Sequence, residues 1–86
     1  MASYKVELVK SVEKDIRKVE KRYLPNILAV IHALASDPFP ANCRKLQSSK
    51  KSYRLRSGPY RILFEVDTDA GMVTVFRIGH RKDVYR

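Results

Sequence analysis

Between Tyr4 and Val9 the chain alternates apolar with charged residues, Tyr4-Lys5-Val6-Glu7-Leu8-Val9. A period of two sends successive side chains to opposite faces, so this run predicts a half-buried strand. The period then lengthens. Val12, Ile16, Val19 and Tyr23 recur at spacings of four, three and four, the apolar stripe of an amphipathic helix. Ser11 stands where an N-cap hydroxyl would accept a first-turn amide, and the helix is predicted from there to about Arg22 or Tyr23. Lys14, Arg17, Lys18 and Lys21 lie off the stripe and read as a solvated face. Pro25 breaks this helix and suits the first turn of another, with Leu24 as the hinge. Ile27, Leu28, Ile31, Leu34 and Ala35 form the next stripe, with Val30 at its margin. Two helices on one short link can cover one face of a sheet.

Asp37-Pro38-Phe39-Pro40-Ala41-Asn42 reads as a loop, since its two prolines oppose regular structure, with Phe39 plugging the edge of the core. Cys43 to Gln47 is a candidate short extended segment with Leu46 inside. Ser48 to Ser52 is polar, and its lysines, Lys50 and Lys51, either meet phosphate or hold the loop in solvent. Three strands are expected after it. In the first, about Tyr53 to Ser57, Tyr53, Leu55 and Ser57 share one face and Arg54 and Arg56 the other. Gly58-Pro59 marks a turn. The second runs from about Tyr60 to Val66, with Tyr60, Ile62, Phe64 and Val66 on one face and Arg61, Leu63 and Glu65 on the other. Asp67 to Gly71 is a hairpin loop, and the third strand runs from about Met72 to Ile78. Gly79 is expected to turn the backbone into the tail. The order β-α-α-β-β-β predicts an α+β fold, an antiparallel-rich sheet with a helical hairpin on one face.

A chain of 86 residues makes one domain, 1–86, with a modest core. One cysteine, Cys43, excludes an internal disulfide, and the widely separated His32 and His80 cannot join it in a zinc site. Cys43 and His32 read as packed or rim residues. Neither a signal-peptide run nor a membrane-spanning segment is present, which points to the cytoplasm and no membrane partner. Charge changes the picture most. Of the net +9, residues 1–42 hold +2 and residues 43–86 hold +7. A basic half so concentrated suits a polyanionic partner such as RNA, DNA or an acidic protein segment.

The candidate chemistry lies in that half. Adjacent antiparallel strands would gather Arg54, Arg56 and Arg61 on one face, and the tail would bring His80, Arg81 and Tyr85 alongside. Cleavage of RNA by its own 2′-hydroxyl needs a base for that proton, cations for the phosphoryl oxygens and an acid for the leaving oxygen. Arginine offers a planar fork of donors matched to phosphate. Histidine titrates near working pH, and tyrosine can stack a base or move a proton. This needs no metal and no cofactor. From the pattern alone, the same residues describe an RNA-binding sheet without catalysis somewhat better than a catalytic one.

Tyr53-Arg54-Leu55-Arg56-Ser57-Gly58-Pro59-Tyr60-Arg61, followed by Gly79-His80-Arg81-Lys82-Asp83-Val84-Tyr85, resembles the RelE/ParE superfamily of toxins, in its RelE-like branch. The likeness spans essentially the whole chain. It implies a toxin of a type II toxin–antitoxin system that cleaves mRNA in the ribosomal A site and is held inactive by a cognate antitoxin. Its partners would be that antitoxin, the ribosome with its mRNA, and operator DNA only through the toxin–antitoxin complex. Carried over by motif, the active site would comprise Arg54, Arg56, Arg61, Arg81 and Tyr85. Arg61 and Arg81 would hold the scissile phosphate, and Tyr85 would stack on or orient the nucleotide. Lys50, Lys51 and Lys82 would join Arg54 in binding substrate. Well-studied members carry lysines where Arg54 and Arg56 stand. Arginine cannot give up its proton in a protein, so His80 or Tyr85 is expected to carry the proton and Arg56 to stabilise charge. The superfamily's other branch supplies the alternative, a ParE-like gyrase inhibitor. A catalytically impaired relative that binds RNA or antitoxin is a further one. A terminal helix seen in some relatives has no counterpart after Tyr85, so the antitoxin is expected on the apolar surface of the helix pair or on a sheet edge.

Overall fold

A computed structural model describes residues 3–47 and 50–80. Strand β1 is Lys5–Leu8, helix α1 is Lys10–Lys18, a 3-10 turn covers Lys21–Tyr23 and helix α2 is Leu24–Ala33. The strands β2 (Arg44–Lys45), β3 (Ser52–Ser57), β4 (Tyr60–Asp67) and β5 (Met72–His80) follow. They form one five-stranded sheet in the order β1-β5-β4-β3-β2. β1 runs parallel to β5, and the other pairings are antiparallel. The α+β architecture agrees with the sequence, with the two-residue β2 added at one edge.

The core lies between the helices and one face of the sheet. Val12, Val19, Ile27, Ile31 and Leu34 from the helical layer meet Leu55, Tyr60, Ile62, Phe64, Val66, Val73, Val75 and Ile78 from the strands. Burying side chains of this size stabilises the fold by about 1.5–3 kcal/mol each. On β5 the alternation slips. Leu63 pairs with Arg77 but Phe64 pairs with Val75, so Phe76 is an extra residue in the ladder. The bulge lets Val73, Val75 and Ile78 all reach the core.

Several boundaries differ from the sequence expectation. Ser11 caps nothing. β1 pairing persists to Val9, whose amide donates to the Val75 carbonyl at 3.0 Å, and the chain passes from there straight into α1. That helix ends at Lys18 rather than Tyr23, because Val19 and Glu20 are extended, with ψ of 135° at each. The freed Glu20 amide donates to the Tyr60 hydroxyl at 3.1 Å. Leu24 opens α2 rather than hinging before it, with Pro25 in the first turn. Leu28 is 45% exposed, and Val30 packs against the core in its place. Pro38 is buried, and Phe39, 42% exposed, rests its ring edge on Tyr53 at 5.3 Å. Gly79 does not turn the chain but continues β5, opposite Arg61. No helix among the described residues is long and apolar enough to cross a membrane.

Candidate functional site

The outer face of the sheet, away from the helices, carries the basic groups. Leu55 is buried in the core, so its neighbours Arg54 and Arg56 point outward. Ladder register then brings charges together. Arg56 stands opposite Arg61 across β3 and β4, and Arg44 stands opposite Arg54 across β2 and β3. Directly opposed residues have Cβ atoms about 4.5–5.5 Å apart, and like charges so placed destabilise a sheet. Two such pairs side by side are what an anion site requires and what a merely stable surface would avoid.

These four arginines, with Asn42 and Gly58, line a groove of about 530 Å³. Gly58 opens its rim. In the two-residue turn joining β3 to β4, Gly58 adopts a φ of +59°, a conformation side-chain-bearing residues resist. Arg61 is half-buried with its Nε inside the protein, and Arg54 is half-buried, whereas Arg56 and Arg44 are exposed. The Arg44 Nη1 donates to the Cys43 carbonyl at 3.2 Å, which steadies its guanidinium at the groove edge. Beside it, partial burial and then the charge of Asp37 push the Cys43 thiol up, keeping it neutral.

Arg44 and Asn42 escaped the sequence reading. The pattern marked Cys43 to Gln47 as extended but gave no partner strand, and only pairing with β3 puts Arg44 on the arginine face. Arg54, Arg56 and Arg61 converge as expected. Lys50 and Lys51 do not join them. Lys51 lies at the other end of β3, with its Nζ 4.0 Å from an Asp67 carboxylate oxygen. Five residues of strand, about 17 Å, separate it from Arg56. His80 lies on the opposite face. It pairs with Tyr60 on the helix side, the rings 5.7 Å apart, while Arg61 pairs with Gly79. Arg81, Lys82 and Tyr85 lie outside the described residues. The groove can therefore grip a phosphate through several guanidinium forks and offset charge growing on it. Its arginines cannot accept a proton.

The family model for the ParE toxin of type II toxin–antitoxin systems, parDE, matches residues 6–85. The chain belongs to the RelE/ParE toxin superfamily. Its relatives place it in the RelE-like branch. It is similar to toxin RelG of Mycobacterium tuberculosis, at 25% identity over 96% of this chain and 97% of that protein. The RelB–RelE antitoxin–toxin complex from Methanococcus jannaschii matches at 27% identity and a TM-score of 0.73, covering 91% of this chain and 93% of its counterpart. The fold is also shared with the archaeal RelE–RelB complex from Pyrococcus horikoshii. There the TM-score is 0.82 at 23% identity, over 95% of this chain and 99% of that one. The RelE-like chain is thus a type II toxin with the sheet and helical layer of its solved relatives.

Proposed function

We propose that this toxin is a metal-independent, ribosome-dependent endoribonuclease that cleaves mRNA in the A site. The observation that supports this reading is the gathering of Arg44, Arg54, Arg56 and Arg61 around one groove on the open face of the sheet. The 2′-oxygen attacks the adjacent phosphorus, forming a 2′,3′-cyclic phosphate, and the bond to the 5′-oxygen breaks. Negative charge accumulates on the phosphoryl oxygens meanwhile, and guanidinium donors fixed in place stabilise it. Arg61 holds the phosphate from its half-buried position, and Arg56 offsets charge from the rim. Arg81, by its place in the motif, closes on the same phosphate. The placement of His80 across the sheet from Arg61 favours Tyr85 for the proton step. The remaining driving force is orientation of the RNA by the ribosome.

A cognate antitoxin restrains the protein in the cytoplasm, and the pair together binds operator DNA. Leu8 and Leu28, 42% and 45% exposed on β1 and α2, offer apolar anchorage to an amphipathic antitoxin segment. Acidic residues in that segment would suit the basic half of the chain.

The test maps mRNA 5′ ends on translating ribosomes after tightly controlled expression, beside folded Arg61→Ala and Arg81→Ala variants. New ends inside A-site codons are expected from the wild type and not from either variant. The ParE designation of the matching family model supports a second reading, inhibition of gyrase. Growth arrest with intact mRNA and a DNA-damage response would establish it instead.

A further inference from the structure

We propose that Asp15, on α1, is a positioning residue that holds the end of β5 in register against Arg61 of the groove. The inference rests on the nuclease reading above and extends it to a residue outside the arginine groove. β1 pairs with β5 only from Met72 to Val75 and then leaves as α1. From Phe76 onward β5 therefore has a strand neighbour on the β4 side alone, and its ladder is bulged at that point. The Ile78 amide lies within this segment, in a residue only 3% exposed. A buried amide left without an acceptor is costly. Asp15 supplies the acceptor. Its Oδ2 takes the Ile78 N–H at 3.0 Å, across 63 positions of sequence.

A second clamp lies one strand over, where the Tyr60 hydroxyl accepts the Glu20 amide from the end of the same helical segment. Tyr60 is the ladder partner of His80. The two bonds tie α1 and the extended residue just past it to the end of the sheet where β4 begins and β5 ends. Asp15, Lys18, Tyr60 and His80 together wall a cleft of about 240 Å³ beside that end. Asp15 acts two rungs before His80 and three residues before Arg81. It thereby fixes the register that sets Gly79 opposite Arg61 of the groove. A small displacement of a catalytic group carries a large penalty in rate.

The experiment compares Asp15→Ala, Asp15→Asn and the exposed Glu13→Ala in single-turnover cleavage on mRNA-programmed ribosomes, with amide exchange followed by NMR on the same folded proteins. Asp15→Ala should lower the saturated cleavage rate about tenfold, with ribosome affinity within about twofold, because orientation rather than binding is lost. The Ile78 amide should exchange faster while amides at the β3–β4 pairing stay protected. Asp15→Asn keeps an acceptor oxygen and should restore most of the rate, and Glu13→Ala should match the wild type. Faster Ile78 exchange with an unchanged rate per folded molecule would overturn the proposal, leaving Asp15 a purely structural tie. A wild type that cleaves no mRNA would instead defeat the nuclease reading. Positioning would then be decided by the Tyr60–His80 ring contact: its loss in Asp15→Ala supports the role, and its persistence overturns it.

Discussion

Gly58 sits between β3 and β4 at a φ of +59°, and a methyl group added there would lie 3.1 Å from the Tyr23 ring. Gly71 has a similar φ of +66° but open space around it. The pair separates backbone strain from crowding. Alanine at either position meets left-handed strain of about 1–2 kcal/mol. Only Gly58→Ala also pushes against a ring that packs on Tyr60 at 5.6 Å between centroids. Thermal unfolding should therefore show a larger loss for Gly58→Ala than for Gly71→Ala; equal losses would mean that Tyr23 yields without cost. Gly58 was legible as a turn signal, because glycine followed by proline between two alternating runs has few other uses. Its contact with Tyr23 was not, since nothing local relates residues 35 positions apart. Arg44 was hidden for the same reason. Its place in the groove depends on pairing with Arg54, and pairing is a property of two segments.

Among the elements, the strands were read more faithfully than the helices. Period two in Tyr53 to Ser57 and Tyr60 to Val66 matches the observed faces because one side of each strand packs on the core, although Leu63 on the outer side of β4 is buried too. The helix boundary failed on different physics. Val19 and Tyr23 do join or pack against the core, yet the backbone between them has left the helix. Apolar spacing records which side chains are buried, not whether the hydrogen-bond ladder is unbroken. That break is held by the Tyr60 hydroxyl, so Tyr60→Phe, which keeps the ring, should cost about 1 kcal/mol. Exchange at the Glu20 amide should rise in the same variant, and an unchanged amide would assign the break to other contacts. The opposed arginines give a prediction of the other sign. Replacing Arg56 by Gln removes like-charge repulsion against Arg61, and should raise stability by about 0.2–1 kcal/mol while lowering cleavage. A loss of stability would mean that the aliphatic part of Arg56 contributes more than its charge costs.

For the whole molecule the question is which face meets the nucleic acid, because a net charge of +9 leaves basic groups on both. On the helical side Lys10, Lys14, Arg17, Lys18 and Lys21 are all exposed. The sheet side has the four arginines of the groove. Composition could announce a polyanionic partner but could not choose between these faces, since both contribute equally to a sum. Geometry separates them. Lysines spaced along one helix can each be satisfied by water, whereas arginines opposed across strands share one groove and gain most from the successive phosphates of one bound strand. Salt dependence can measure the difference. Each phosphate contact on single-stranded RNA contributes about −0.7 to the slope of log K against log salt, so four contacts in the groove imply a slope near −2.8. Binding of a short single-stranded RNA should therefore lose about 0.7 of that slope in Arg44→Gln and Arg54→Gln alike, and almost none in Lys14→Gln. An equal loss in Lys14→Gln would mean that RNA spreads over the helical face as well. An unchanged slope in Arg44→Gln would remove that arginine from the site and confine the grip to Arg54, Arg56 and Arg61.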